Sequence, residues 1–235
     1  MKTIGLIGGM SWESSAEYYK LLNQGMKSRL GGHNNALSLM VTVNFAEIEH
    51  LQHEAQWDAL AQRMLRAAQQ LAAGGAELIV LCTNTMHKVA DAIERDVAVP
   101  FLHIADPTGA AIKRRKLSRV GLLGTRFTME QDFYRHRLTQ RHGIDVVIPP
   151  PVQRDEVHRI IYEELCHGLI LPRSKQTYIE VIDGLREQGA EGIVLGCTEI
   201  MLLIGQGDTV LPVFDTTALH AEAALDMALA LRDLC

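Results

Sequence analysis

Two short stretches, one in each half of the chain, share a pattern that constrains the fold more than any other feature. The first runs from Gly75 to Thr83 and the second from Gly189 to Cys197, a shift of 114 residues, and both read Gly-Ala-Glu-x-Ile-Val-Leu. A short apolar run bounded by turn residues is typical of a buried strand in a parallel sheet. In each half the strand is followed by a small polar side chain, Thr83 in the first and Cys197 in the second.

Two further matches occur in the same order along the chain. Residues 4–9 match residues 120–125 at a shift of 116, and the strand after Pro100 matches the strand around Pro212 at a shift of 112. Short parallel strands resemble one another by chance, but the seven-residue pattern is longer than chance readily explains. We therefore favour an internal duplication over unrelated strands.

Segments with apolar residues at helical spacing separate the strands, and this alternation predicts an α/β fold with parallel sheets covered on both faces. We expect two pseudo-symmetric halves with an active-site cleft between them. The first half spans 1–112 and is completed by a C-terminal helix over 216–235, and the second spans 117–215. Among the individual elements we expect a strand over 37–45 and continuous helices over 85–97 and 129–141.

The carboxyl ends of parallel strands are where open α/β sheets bind ligands. Two halves related by a pseudo-dyad would bring equivalent strand ends face to face. Gly8 to Ser11 and Thr83 would then line the cleft from one side, and Gly124-Thr125 and Cys197 from the other.

Composition and motifs exclude several classes of protein. The net charge of −5 and the lack of a dense basic patch argue against a nucleic-acid partner, and no apolar run approaches the roughly 18 residues of a membrane span. The sequence has no Walker A, GxGxxG or HExxH motif, so we expect neither a nucleotide cofactor nor a metal. Met1 leads directly into a strand, which leaves no room for a signal peptide, and the four cysteines form no CxxC. A reducing cytoplasm, where thiols stay free, is the simplest expectation.

Cys197 is the strongest candidate for a reactive side chain. It follows a buried strand and precedes a predicted helix whose first N–H groups would favour a thiolate, and Thr198 and Glu199 are its polar neighbours. The alternative is a small buried hydrophobic residue. Cys82 is expected in the core, because Thr83 and not Cys82 matches Cys197 in the repeat.

Two other groups of residues allow more than one interpretation. The backbone N–H groups of Met10 and Ser11, near a helix start, could hold a carboxylate, although a plain strand–turn–helix explains the local sequence equally well. The chain has ten histidines, and we expect most of them at the surface or behind the site.

Three motifs together resemble the signatures of the aspartate/glutamate racemase superfamily, and the resemblance covers nearly the whole chain. These motifs are Gly8-Gly9-Met10-Ser11-Trp12-Glu13-Ser14, Thr83-Asn84-Thr85 and Gly196-Cys197-Thr198-Glu199. The resemblance implies an amino-acid racemase that works without pyridoxal phosphate or any other cofactor, on a small-molecule amino acid, as a homodimer. It also implies that Thr83 and Cys197 are catalytic. The implied substrate-binding residues are Met10, Ser11, Gln52, Asn84, Thr85, Thr125 and Thr198.

Racemisation requires one group to remove the Cα proton on one face and another to deliver a proton on the opposite face. Members of the superfamily typically carry cysteine at both positions, but this chain has Thr83 at the first. A hydroxyl is far harder to ionise than a thiol, so three outcomes stay open: slow or direction-biased racemisation, help from Cys82 or His87, or a different reaction. We hypothesise that Cys197 is the competent base and Thr83 a poorer proton relay.

Substrate choice rests on weaker signals. Acid-specific members tend to carry an arginine in the loop region that holds Gln52 here, and a basic residue where Leu169 follows Gly168. Without these cations, a neutral or broad substrate range competes on even terms with glutamate and aspartate. The alternatives to a racemase are a maleate-type isomerase or a decarboxylase of the same superfamily, and a catalytically weak amino-acid-binding protein.

Overall fold

The computed structural model describes residues 1–230 of the 235-residue chain, and these residues divide into two units. Unit 1 comprises Met1–His103 together with the chain from His220 onward, and unit 2 comprises Ile104–Leu219. Each unit contains one parallel four-stranded sheet. The predicted α/β class with a parallel sheet in each half is therefore confirmed.

The strands and helices alternate along the chain. The strands are β1 (Ile4–Gly8), β2 (Ser38–Thr42), β3 (Leu78–Leu81) and β4 (Phe101–Leu102) in unit 1, and β5 (Arg119–Gly124), β6 (Asp145–Val147), β7 (Ile193–Gly196) and β8 (Val213–Asp215) in unit 2. The α-helices are α1 (Trp12–Leu30), α2 (Phe45–His53), α3 (Trp57–Ala73), α4 (Ala90–Asp96), α5 (Ala105–Arg114), α6 (Arg126–Glu130), α7 (Asp132–His142), α8 (Pro151–Glu163), α9 (Pro172–Glu187) and α10 (Thr216–Leu229).

The two sheets have equivalent strand order and register. Sheet A of unit 1 has the order β2-β1-β3-β4, and sheet B of unit 2 has the order β6-β5-β7-β8. Gly5 pairs with Ile79 in sheet A, and Gly121 pairs with Ile193 in sheet B. These four residues are matched by the shifts of 116 and 114 found in the sequence, so the register agrees with an internal duplication.

Successive strand residues point to opposite faces of each sheet, as the period of two requires. In β1, Leu6 packs with α1 and α10 on one face, while Ile7 packs with α3 on the other. The α10 residues Ala221, Ala224, Leu225 and Ala228 join the core of unit 1. Burial of each large apolar side chain contributes about 1.5–3 kcal/mol, so both faces of the central strand hold its C-terminal end in place.

Three of the predicted elements differ from those in the structure. The predicted strand over 37–45 ends at Thr42, because the Asn44 side chain accepts a hydrogen bond from the Ala46 N–H and caps α2. The predicted helix over 129–141 is divided between α6 and α7 at Gln131, whose backbone is extended.

The predicted helix over 85–97 begins as a 3₁₀ helix, Thr85–Val89, and becomes α-helical only at Ala90. In an α-helix the backbone N–H of His87 would bond to the Thr83 carbonyl. Here the His87 ring nitrogen Nδ1 donates a hydrogen bond to that carbonyl at 2.7 Å. The His87 backbone N–H donates to the Asn84 carbonyl at 3.0 Å instead. Competition from the side chain thus explains the tighter first turn.

The predicted C-terminal helix over 216–235 is helical from Thr216 to Leu229, and residues 231–235 lie outside the described part. Within residues 1–230, every helix is too short or too polar to cross a lipid bilayer.

Candidate functional site

In unit 1 the predicted site residues lie at the carboxyl edge of sheet A. Strands β1 and β3 are neighbours, and the Cys82 N–H donates to the Ile7 carbonyl at 3.0 Å. The Ser14 hydroxyl, in the first turn of α1, donates to the Cys82 carbonyl at 3.0 Å. The turn after β1, with Met10 and Ser11, is thereby joined to the segment that carries Thr83.

The turn after β1 requires a glycine. Gly9 has a φ of 92°, and a Cβ at this position would clash with the Val43 carbonyl oxygen. The Gly9 N–H donates to the Ser15 hydroxyl at 2.7 Å, and that hydroxyl donates to the Ser11 carbonyl at 2.9 Å. Ser11 caps α1 by accepting from the Ser14 N–H.

Thr83, Asn84 and Thr85 are all buried after β3. Within residues 1–230, no group is hydrogen-bonded to the Thr83 hydroxyl. Gln52 is buried on α2, and its amide nitrogen lies 3.1 Å from the Met86 sulfur, so this predicted binding residue approaches the same turn. Unit 1 therefore brings six of the predicted site residues to one edge of the sheet.

Cys82 lies in the core of unit 1, as predicted, with no exposed surface. Burial raises the pKa of its thiol far above the ordinary value. Unlike a thiol with a bound acid/base partner, the Cys82 thiol has no exposed surface and no side chain bonded to it within residues 1–230, which argues against help from Cys82.

Three histidines of unit 1 are buried: His87, His103 and His220. Their rings lie together, with 4.4 Å between the centroids of His87 and His103 and 5.9 Å between those of His87 and His220. We expected most histidines at the surface or behind the site. The sequence could not predict that these three lie together, because they are far apart in the chain.

In unit 2 the predicted residues lie at the carboxyl edge of sheet B. The last residues of β5 and β7, Gly124 and Gly196, pair with each other, so Thr125 and Cys197 follow neighbouring strand ends. The Thr125 hydroxyl accepts from the Thr128 N–H at 3.3 Å and caps α6. That the two sets of residues face a single cleft stays a prediction.

Cys197 is buried and bound to a carboxylate. Its Sγ donates to Glu199 Oε2 at 2.9 Å, and the Thr198 hydroxyl donates to the same oxygen at 2.8 Å. Burial raises the pKa of the Cys197 thiol well above its ordinary value, and the Glu199 charge raises it further. The expectation of a thiolate stabilised by a following helix is therefore wrong. A short 3₁₀ helix, Ile200–Leu202, follows Cys197 instead of an α-helix. A backbone hydrogen bond from Glu199 lowers the pKa of the thiol, but burial and the Glu199 carboxylate outweigh it.

Glu199 is the functional residue that sequence reasoning undervalued. It entered the argument as a polar neighbour, whereas the structure makes it the direct hydrogen-bond acceptor of Cys197. The available signal was a carboxylate two residues after a candidate nucleophile, but side-chain direction in an irregular turn does not follow from spacing. Within residues 1–230, no group of three His, Cys, Asp or Glu side chains is arranged to hold a metal ion.

A family model described as Asp/Glu/Hydantoin racemase matches residues 7–224. The chain belongs to this family. The predicted membership of the aspartate/glutamate racemase superfamily is thus confirmed over nearly the full length of the chain.

Solved structures of family members are similar to this chain throughout. A candidate Asp/Glu racemase of Yersinia pestis is 54% identical over 97% of this chain and 100% of its own, with a TM-score of 0.91. An aspartate racemase homologue of Pyrococcus horikoshii OT3 is 36% identical over 97% of this chain and 99% of its own, with a TM-score of 0.85.

Curated racemases are more distant. Glutamate racemases of Exiguobacterium sibiricum and Roseiflexus sp. are 28% and 31% identical over 66% and 63% of this chain, and the matches span 59% and 54% of those proteins. The broad-specificity amino-acid racemase RacX of Bacillus subtilis is 22% identical over 97% of this chain and 98% of its own.

Proposed function

We propose that this protein is a cofactor-independent amino-acid racemase that inverts the Cα centre of its substrate. Cys197 is the base on one face of the substrate, and Thr83 is the proton relay on the other. The observation that carries the proposal is the thiol–carboxylate pair of Cys197 and Glu199 at a strand end of a racemase-family chain.

The Cys197–Glu199 pair supplies the base. The pair shares one proton and one negative charge, and transfer of the thiol proton to Glu199 converts the sulfur into a thiolate. The thiolate takes the Cα proton, and the electron pair stays on the substrate as a carbanion stabilised by the adjacent carboxylate. The extra proton then returns from the pair to water.

Thr83 completes the inversion on the opposite face. Its hydroxyl gives a proton to Cα and receives one from water, so that no free alkoxide has to form. The substrate carboxylate is bound by the N–H groups and hydroxyls of the turns at Met10-Ser11 and Asn84-Thr85, with Gln52, Thr125 and Thr198 around it. Donors in these positions would stabilise the negative charge that develops during deprotonation.

The two catalytic positions differ in how readily they transfer a proton, since the Cys197 thiol has a carboxylate partner and the Thr83 hydroxyl has no hydrogen-bond partner within residues 1–230.

Two enantiomers have equal free energy in water, so kcat/KM for inversion must be the same in both directions. The asymmetry can show only in kcat and KM separately, and in exchange without inversion. We expect the enantiomer whose Cα proton faces Cys197 to exchange with solvent faster than it inverts.

The test is incubation of each enantiomer in D₂O, with chiral separation and mass spectrometry of the products. Exchange at Cα without added cofactor supports a racemase, and faster exchange from one enantiomer supports the asymmetry. Equal and fast exchange from both enantiomers contradicts the asymmetry. Absence of exchange from every amino acid tested contradicts the racemase.

The substrate is glutamate or aspartate, or a broader set that includes neutral amino acids. Gln52 and Leu169 supply no cation for a side-chain carboxylate. A broad-specificity amino-acid racemase and glutamate racemases both occur among the relatives, so the relatives do not choose between the two ranges. Turnover of glutamate compared with homoserine and methionine decides the point, and a strong preference for glutamate contradicts the broad range.

A second candidate is an amino-acid-binding protein with little catalysis, favoured by the unassisted hydroxyl of Thr83. A binder keeps its ligand affinity when Cys197 is changed to Ser and shows no Cα exchange before the change. An enzyme shows exchange that the change abolishes.

We further propose that the protein acts as a homodimer in the cytoplasm. The mechanism needs Cys197 as a free thiol, which a reducing compartment maintains. Light scattering of the purified protein tests the dimer, and a monomer at micromolar concentration contradicts it.

A further inference from the structure

The His87 ring in unit 1 is bonded to the backbone of the Thr83 turn. Its Nδ1 lies 2.7 Å from the Thr83 carbonyl oxygen. A carbonyl only accepts hydrogen bonds, so Nδ1 must carry the proton. The contact therefore assigns His87 the role of donor to the main chain of the residue proposed as the proton relay.

The His87 ring is held in place by its neighbours. Besides His103 and His220, Phe101 lies against it, with 5.6 Å between ring centroids. His220 is itself fixed, since its Nε2 donates to the Leu102 carbonyl at 2.9 Å and its Nδ1 accepts from the Tyr18 hydroxyl at 2.8 Å. A donor on such a buried, packed ring has little rotational freedom to lose when it bonds.

The hydrogen bond fixes one peptide group. The Thr83–Asn84 peptide is planar and trans, so a carbonyl turned toward His87 turns the Asn84 N–H the opposite way. The Cys197 thiol is oriented by the side chain of Glu199, whereas within residues 1–230 nothing binds the Thr83 hydroxyl. The direction of that hydroxyl therefore depends on its backbone.

The second half of the duplicated chain has no histidine at the position that matches His87. The residue 114 positions after His87 is Met201, which cannot donate a hydrogen bond, and the residue 114 positions before Glu199 is Thr85. One half of the duplicated chain thus holds its acid/base group through a carboxylate, and the other through a histidine bonded to the main chain.

We propose that His87 is a positioning residue for proton delivery: it locks the Thr83–Asn84 peptide and thereby aims the Thr83 hydroxyl at the substrate. This inference rests on the proposed racemase function. Loss of the His87 donor should slow proton delivery from the Thr83 face and leave proton removal by Cys197 unchanged.

The experiment measures how the carbanion is partitioned. The substrate is the enantiomer of glutamate or homoserine whose Cα proton faces Cys197, which is the one that the wild type exchanges faster than it inverts in D₂O. Deuterated product with inverted configuration is divided by deuterated product with retained configuration. This ratio does not depend on how much of a variant is folded, so a purely structural loss leaves it unchanged.

Three His87 variants separate the donor from the ring. His87→Leu removes the donor, and we expect the ratio to fall about five- to tenfold, the effect of one neutral hydrogen bond. The amide nitrogen of His87→Asn stands near the position of Nδ1 and should restore the ratio, whereas that of His87→Gln stands near Nε2 and should not. If His87→Leu does not fold, the comparison of Asn with Gln carries the test.

Tyr18→Phe is the matched control, because it removes a buried hydrogen bond to His220 in the same cluster without touching Thr83. We expect it to lower stability and leave the ratio at the wild-type value. A ratio unchanged in His87→Leu, or changed equally by Tyr18→Phe, overturns the positioning role while the racemase stands. A wild type that exchanges no amino acid overturns the proposed function and this inference with it.

Discussion

Replacement of Glu199 by Gln should lower both the pKa of the Cys197 thiol and the activity, although a lower thiol pKa by itself would favour catalysis. The Glu199 carboxylate accepts from the Cys197 thiol at 2.9 Å and from the Thr198 hydroxyl at 2.8 Å. Gln keeps the size of the side chain and a hydrogen-bonding oxygen but removes the negative charge. The substitution therefore isolates the charge and the ability to take a proton.

The electrostatic effect follows from the distance. Two unit charges 2.9 Å apart repel by about 6 kcal/mol at an effective dielectric constant of about 20. Loss of the carboxylate should therefore lower the pKa of the Cys197 thiol, and burial should continue to hold it up.

The activity should fall in spite of the lower thiol pKa if Glu199 takes the thiol proton. Without that acceptor, the proton of Cys197 has to leave through water, and we expect kcat/KM at neutral pH to fall about 10²- to 10⁴-fold, the usual contribution of a positioned base. The remaining activity of Glu199→Gln should rise with pH as the thiol ionises.

Two measurements test this prediction on the same samples. The pH dependence of iodoacetamide alkylation, followed at Cys197 by peptide mass spectrometry, gives the pKa of the thiol, and Cα exchange gives kcat/KM. Glu191→Gln is the control, because this exposed carboxylate of unit 2 bonds to Ser118 and the Arg119 N–H, away from Cys197, and its replacement should change neither quantity. A lower thiol pKa together with equal or higher activity would refute the proton-acceptor role of Glu199.

Three further substitutions test other parts of the structure. Cys82→Ala should leave kcat/KM unchanged and lower the free energy of unfolding by about 1–2 kcal/mol, because the thiol packs in the core and takes no part in the reaction. A large loss of exchange activity would contradict this. Gly9→Ala should cost at least about 2 kcal/mol in urea denaturation, because its φ is 92° and the new Cβ would meet the Val43 carbonyl oxygen. Burial raises the pKa of Asp106, but hydrogen bonds and charge from Arg137 outweigh it and lower the pKa overall. The pair should therefore stabilise the fold above the unfolded carboxyl pKa of about 3.9 and be lost as pH falls further, an acid dependence that Asp106→Asn should weaken in melting curves.

The parts of the fold that the sequence predicted well are those set by local pattern. The buried strands before Thr83 and Cys197 follow from short apolar runs, and their register in the two sheets repeats the shifts visible in the sequence.

The errors came where a side chain competes with the backbone. The helix expected from residue 85 starts as a 3₁₀ helix, because the His87 ring donates a hydrogen bond to the Thr83 carbonyl. The strand expected to reach residue 45 ends at Thr42, because Asn44 caps α2. Apolar periodicity carries no information about such contacts.

By itself, the sequence determined the duplicated α/β architecture and the two positions that differ between its halves, Thr83 and Cys197. Only the tertiary structure decided the surroundings of each position. In the folded chain Cys197 is hydrogen-bonded to Glu199, and burial together with this carboxylate raises the pKa of the thiol. His87 is hydrogen-bonded to the main chain of Thr83 and lies beside His103 and His220. The physical reason is that hydrogen bonding and burial depend on side-chain direction and on residues distant in the chain, whereas strand position depends on neighbouring residues.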